Sequence, residues 1–213
     1  ATVMVVVLKV VLVKAPNTDR CNVIRQWCNT PLSGNTGVRS DGVLVNHQLA
    51  LDVWSLPESK GKLFDARGKR RRQAMEGAHV VVIVCDASLI NVSWQQLVKL
   101  RREITAKKPD KGENLEFLLM VHKGRDGSRD FAGTFELDKF CNEQKFAGWL
   151  LASSRSSKIA VKEAIRYVGS VCVRVHETRH GLKPGALSAM AAETAKRRKK
   201  LRLRMKKHQT AKL

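Results

Sequence analysis

Lys14, Asp19, Arg20 and Cys21 occupy the spacing at which a phosphate-binding loop, G-x-x-x-x-G-K-[ST], keeps its two glycines, its lysine and its hydroxyl. In such a loop the glycines let backbone N–H groups converge on phosphate, the lysine reaches the outer phosphates and the hydroxyl holds magnesium. Each residue present here removes one part of that chemistry. Lys14 and Asp19 carry side chains where positive φ or close backbone approach is wanted, and Asp19 also sets a negative charge against a polyphosphate. Cys21 is a soft ligand for a hard, oxygen-seeking ion. Arg20 keeps the positive charge of its position, but a charge alone is not a site. Lys14, Asn17, Asp19, Arg20 and Cys21 therefore read as a degenerate phosphate cradle.

The flanking elements have the layout that such a loop needs. The apolar run Val3 to Val13 reads as a buried strand of the parallel-sheet kind, which Pro16-Asn17-Thr18 breaks. A short helix with Val23, Ile24 and Trp27 on its inner face is expected to follow. Taken alone, this is also the pattern of any buried strand followed by a turn and a helix. Downstream, Asn29–Asp41 reads as a loop, and Val43–Val45 with Leu49–Trp54 as an antiparallel pair turning at Asn46-His47. Val80–Val84 is the expected central strand, with Leu115–Val121 and Trp149–Leu151 as the later ones. Between them, Ser93 is the expected cap of a helix to about Lys107 with Leu97, Leu100 and Ile104 inward, and Glu136–Lys145 reads as a second helix. A third, capped by Ser156 or Ser157, turns Val161, Ile165, Val168 and Val171–Val175 to the core. Strand and helix alternate as they do in a parallel sheet covered on both faces.

Several ordered stretches carry a resemblance. Lys9–Val13 with Val23-Ile-Arg25, Leu51-Asp-Val-Trp54, Gly77–Asp86, Phe117–Val121 with His122-Lys123-Gly124-Arg125, and Ala152-Ser-Ser-Arg155 fall in sequence. From about Val3 to Val175 the chain resembles the Ras-superfamily small GTPases, most closely the Rab-like branch, with Gly77–Asp86 the most specific match. The resemblance implies a P-loop-NTPase-like α/β domain with a mostly parallel six-stranded sheet and helices on both faces. It also implies where a nucleotide site would lie, and there the motifs depart. Ser55-Leu-Pro-Glu-Ser59 stands where the family has D-T-A-G-Q, so Ser55 and Glu58 replace the magnesium-side aspartate and the γ-phosphate-sensing glycine, and Ser59 the water-orienting glutamine. Where the family has N-K-x-D, Lys123 persists, while His122 replaces the asparagine and Arg125 the base-reading aspartate; a register using Asp126 would lose the lysine. Thr36 is a weak match to the switch threonine. The expectation is a pseudo-GTPase: not an enzyme, with no cofactor and no metal.

Charge supplies the second expectation. The 213 residues carry 40 Lys/Arg and 19 Asp/Glu, a net charge of +21. Residues 1–180 hold 29 basic against 18 acidic residues and residues 181–213 hold 11 against 1, so the short end carries almost half of the excess. The domain expected over 1–180 is followed by a hinge at 181–185 and a basic helical tail over 186–213. Its cations are Lys196, Arg197, Arg198, Lys199, Lys200, Arg202, Arg204, Lys206 and Lys207. A second concentration is Lys60, Lys62, Arg67, Lys69, Arg70, Arg71 and Arg72 against the single Asp65, where the resembled family has its second switch. Such an excess repels itself and favours a polyanionic partner. The four tryptophans are dispersed and Tyr167 is the only tyrosine, so no aromatic platform for unpaired bases is visible. The expected partner is therefore RNA through its backbone, together with neighbouring proteins of a large ribonucleoprotein particle such as a ribosome or mitoribosome. The alternative is a scaffold on an acidic protein lattice such as axonemal microtubules, with tubulin as the partner; an active switch with an unconventional site ranks third.

Five scattered cysteines, none in C-x-x-C spacing, argue for reduced thiols and an intracellular compartment, with mitochondrion and cytoplasm left open. His176 and His180 are four apart and could share a helix face, but they lack cysteine partners at zinc spacing. Val3–Val13 is about half of the ~20 apolar residues that a membrane span needs. No leader segment is visible, as would equally hold had a transit peptide been removed, and a sequence ending Thr-Ala-Lys-Leu213 offers no prenylated cysteine, so no lipid anchor is expected.

Overall fold

The computed structural model describes residues 6–15, 18, 40–44, 49–56, 73–87, 90–106, 114–123, 134–153, 158–187 and 189. Six strands, β1 (Val6–Lys14), β2 (Ser40–Leu44), β3 (Leu49–Leu56), β4 (Val80–Asp86), β5 (Glu116–Lys123) and β6 (Gly148–Ser153), form one sheet in the order β2-β3-β1-β4-β5-β6. Only the β2–β3 pair is antiparallel; β3, β1, β4, β5 and β6 run parallel. Among the described residues three helices accompany them: α1 (Ile90–Ala106), α2 (Thr134–Glu143) and α3 (Lys158–Arg179).

The side-chain period of two sorts each strand between two cores. Leu8, Val10 and Leu12 of β1 join Val80, Val82 and Val84 of β4 on the face that α3 covers with Val168, Val171, Cys172 and Val175. Val11, Val13, Val81 and Ile83 turn to the other face, against Leu97, Leu100 and Ile104 of α1 and Leu137 and Phe140 of α2. Every residue of β4 is buried, which is why Val80–Val84 is a continuous β-branched run and not an alternation. At roughly 1.5–3 kcal/mol for each large apolar side chain removed from water, the two cores are the main force holding the sheet between its helices.

Element ends differ from expectation for local reasons. Ser93 lies inside α1, which begins at Ile90, because no Gly or Pro between Asp86 and Ser93 stops the helix from starting a turn earlier. Strand β2 begins at Ser40, inside the expected loop, since pairing with Trp54 extends the ladder to that residue. Helix α2 runs Thr134–Glu143, shifted two residues towards the N-terminus. Its end is set by Lys145, whose φ of 54° closes a turn in which Phe146 N–H donates to Cys141 O at 2.8 Å and Lys145 N–H to Asn142 O at 3.3 Å. Helix α3 ends in the same way at Gly181, with φ of 62° and Leu182 N–H on Glu177 O at 2.8 Å. The buried Glu177 carboxylate then accepts from the backbone N–H of Gly185 at 2.9 Å and of Leu187 at 2.8 Å, and Leu187 is buried in the α3-side core.

Candidate functional site

In parallel sheets of this kind, ligands bind beyond the carboxyl ends of the strands where the strand order reverses, which here is the end of β1 between β3 and β4. The register gathers the expected site positions there. Leu12 pairs with Ser55, Lys14 with Val84, Asp86 with His122 and Lys123 with Ser153. Strand alternation sets Lys14, Ser55, Asp86 and His122 on the α3-side face, with the buried Leu12, Val84 and Met120. Lys14 and Ser55 are half-buried, while Asp86 and His122 are buried. Asn17, Asp19, Arg20, Cys21, Glu58 and Arg125 lie outside the described residues, as do residues 60–72 and the tail cations from Lys196 to Lys207.

Just beyond β1, the described residues Ala15 and Thr18 bond to the neighbouring strand β4 and to each other. Ala15 N–H donates to Val84 O at 2.8 Å, and Thr18 N–H turns back to Ala15 O at 3.2 Å. Thr18 is 4% exposed, and its hydroxyl donates to Val84 O at 3.4 Å. A phosphate-binding loop works by leaving backbone N–H groups free to converge on the anion. Here the amides of Ala15 and Thr18 are engaged, and Pro16 between them has none. Thr18 was not marked by its spacing; the available signal was a hydroxyl residue two positions after proline, placed to bond back to nearby backbone.

Across the sheet, at the amino ends of β4 and β5, lies a second polar cluster. Lys9 N–H donates to His79 Nδ1 at 3.0 Å, so that nitrogen carries no proton and Nε2 does. The Nε2–H faces His176 Nδ1 at 3.1 Å, which leaves His176 with its own proton on Nε2. His180 stacks next in line, its ring 4.3 Å from that of His176. Burial, then the nearby Arg179 and the other two imidazoles, push the His79 pKa down to about 4, and burial lowers that of His176 as well. Beside them Arg179 donates to Ala78 O at 2.5 Å and to Asn114 O at 2.6 and 2.9 Å. The neutral His79–His176 pair, in which His176 Nε2 is a donor, joins α3 to the sheet and does not present that nitrogen to a metal. Among the described residues no group of three or more His, Cys, Asp or Glu is arranged to hold a metal ion. Cys85, Cys141 and Cys172 are buried, with the Cys141 thiol pushed up to about 12 by burial and Asp138. No helix among the described residues is long and apolar enough to cross a membrane.

No protein-family model matches the chain. It is 25% identical to the Ras-related protein Rab-32B of Dictyostelium discoideum over 187 residues, covering 83% of this chain and 68% of that protein. Together with five parallel strands and one antiparallel edge strand wound in the order above, this decides the architecture. The fold is that of a Ras-superfamily small GTPase. In that fold the β1 end carries Lys14, the β3 end Ser55, and the β5 end His122 and Lys123.

Proposed function

We propose that this chain is a pseudo-GTPase, a small-GTPase fold that has lost its nucleotide chemistry and serves as a structural subunit or assembly factor of a large ribonucleoprotein particle. The observation that carries the loss is the end of β1, where the amides of Ala15 and Thr18 are spent on carbonyls and Pro16 lacks one. Lys14 and Asp19 at the glycine positions and His122 at the asparagine position support the same reading. For the partner, the support is the net charge of +21 and its concentration in residues 60–72 and 196–207. Lysines and arginines without interleaved aromatics hold an RNA backbone and carry little base information.

Calorimetry with GTP and GDP in the presence of magnesium, with a Lys14→Gly/Asp19→Gly/Arg20→Lys/Cys21→Ser variant alongside, tests the first half. No heat from the natural chain is expected; magnesium-dependent micromolar binding would overturn it. Nuclease treatment of an extract, followed by gradient sedimentation, tests the second. Release from a heavy particle is expected, and retention on a nuclease-resistant protein lattice would overturn the RNA assignment.

A further inference from the structure

Past the end of α3 the backbone turns two bonded corners, at Gly181 and Gly185, whose φ values are 62° and 82°. Gly181 N–H donates to Thr178 O at 3.3 Å and Leu182 N–H to Glu177 O at 2.8 Å. Ala186 N–H returns to Lys183 O at 3.0 Å, and Ala189 N–H to Gly185 O at 2.9 Å. That last bond spans four residues, as in an α-helix, and Ala186, Leu187 and Ala189 are helical. A new helix therefore starts at Ala186, where the basic end of the sequence begins.

Two side chains hold this start to the domain. The Glu177 carboxylate is 4% exposed and uses both oxygens on it: Oε2 accepts from Gly185 N–H at 2.9 Å and Oε1 from Leu187 N–H at 2.8 Å. The first amides of a helix have no partner within their own helix, and a carboxylate placed there also meets the positive end of the helix dipole. Helix caps usually come from the residue just before the first turn. This one comes from α3, so it ties the new helix to the domain. Leu187 is the second hold, buried in the α3-side core. Behind both, Arg179 fastens the last turn of α3 to the carbonyls of Ala78 and Asn114.

We infer that residues 181–187 are a rigid elbow and not a hinge: the Glu177 cap and the Leu187 plug launch the tail in one fixed direction, so that domain and tail grip an RNA backbone as a single body. The single grip rests on the polyanion partner proposed above; the fixed direction stands without it. Ala186 to Lys207 is rich in strong helix formers. A helix continued from this start at 1.5 Å per residue would carry Lys196 to Lys207 about 15–30 Å from the elbow. Cations at that reach are placed relative to the domain before RNA arrives, which removes part of the ordering cost of binding. A swivelling tail would hold RNA anywhere within its radius and would not orient the domain.

Amide hydrogen exchange of the full chain tests the elbow. Gly185 and Leu187 should be protected about a hundredfold or more over unstructured rates, and Glu177→Ala should erase most of that protection while the β4 amides keep theirs. Binding of a fluorescent RNA duplex tests the single grip, and its sign is diagnostic. Glu177→Ala raises the net charge from +21 to +22, which by charge alone tightens a polyanion contact. The elbow requires the opposite, a weakening of about fivefold or more. Leu187→Asn, which leaves the charge unchanged, should weaken binding in the same way. Urea melts establish that both variants are compared in the folded state. Unprotected Gly185 and Leu187 amides in the natural chain, or equal protection in Glu177→Ala, would overturn the elbow. Unchanged or tighter RNA binding by both variants would overturn the single grip. Protected amides in a natural chain with no affinity for the duplex would overturn the RNA partner, and the single grip with it, while upholding the elbow.

Discussion

Replacing His79 with glutamine should flatten the acid limb of the stability curve. In the folded chain His79 is 8% exposed and accepts the Lys9 amide proton through Nδ1, a bond that the imidazolium cannot make. In the unfolded chain its pKa returns to 6.5, against about 4 when folded. As pH falls below 6.5 the unfolded chain therefore binds a proton that the folded one refuses, and stability declines until about pH 4, below which this group contributes no further loss. At about 1.36 kcal/mol per pKa unit the full difference is roughly 3 kcal/mol. The cluster ends at the exposed His180, and solvent screening there brings the expected effect to about 2 kcal/mol. Glutamine can accept from the Lys9 amide and donate to His176 without titrating. Urea unfolding followed by tryptophan fluorescence at pH 7, 6, 5 and 4.5 should show the natural chain losing stability faster than His79→Gln, with His176 leaving a residual slope of the same sign in both. Equal slopes would refute the link between the imidazole chain and the fold.

Gly148→Ala should lower stability by about 2 kcal/mol or more in the same assay, since the backbone there has φ of 149° and the new methyl would meet the Tyr167 hydroxyl; the double variant with Tyr167→Phe should recover part of the loss. Glu177→Ala strips the acceptor from the buried amide of Leu187 and from Gly185, and should cost about 2 kcal/mol and open the chain after residue 181 to limited proteolysis. Cys85, Cys141 and Cys172 should resist maleimide at pH 8 until denaturant is added, because burial hides them and pushes the Cys141 and Cys172 thiols further above that pH. Lys9→Met should shift tryptophan emission and cost about 1–2 kcal/mol, since the ammonium bonds Gln73 O and Glu76 O and sits 4.5 Å from the Trp54 ring.

The sheet was readable because its strands are written in long β-branched runs, and a strand buried on both faces, such as β4, has no other composition available to it. The inward stripe of α1, Leu97, Leu100 and Ile104, was equally plain from its helical period. Helix ends were less so. Lys145 at positive φ does what glycine does at Gly181, and nothing in its type announces that conformation. At the candidate site, the departures at Lys14 and His122 could be read from spacing, but the turn that spends the Thr18 amide depends on how the loop meets Val84. His176 and His180 could be paired from their spacing alone. Their third member, His79, lies 97 residues from His176 in sequence and joins them only because α3 packs across the amino end of β4.

That long span has a consequence for how the protein is made. Arg179 bonds the carbonyl of Ala78, 101 residues earlier, and His176 closes on His79 across nearly the same distance. At roughly 5–20 residues per second, a ribosome leaves the amino end of β4 waiting about 5–20 s for these partners. Through that interval the nascent sheet has a half-finished edge and an uncovered apolar face, exposed to other chains being synthesised nearby. The last helix thus acts as a timer, and the interval before it emerges is when a chaperone has most to do.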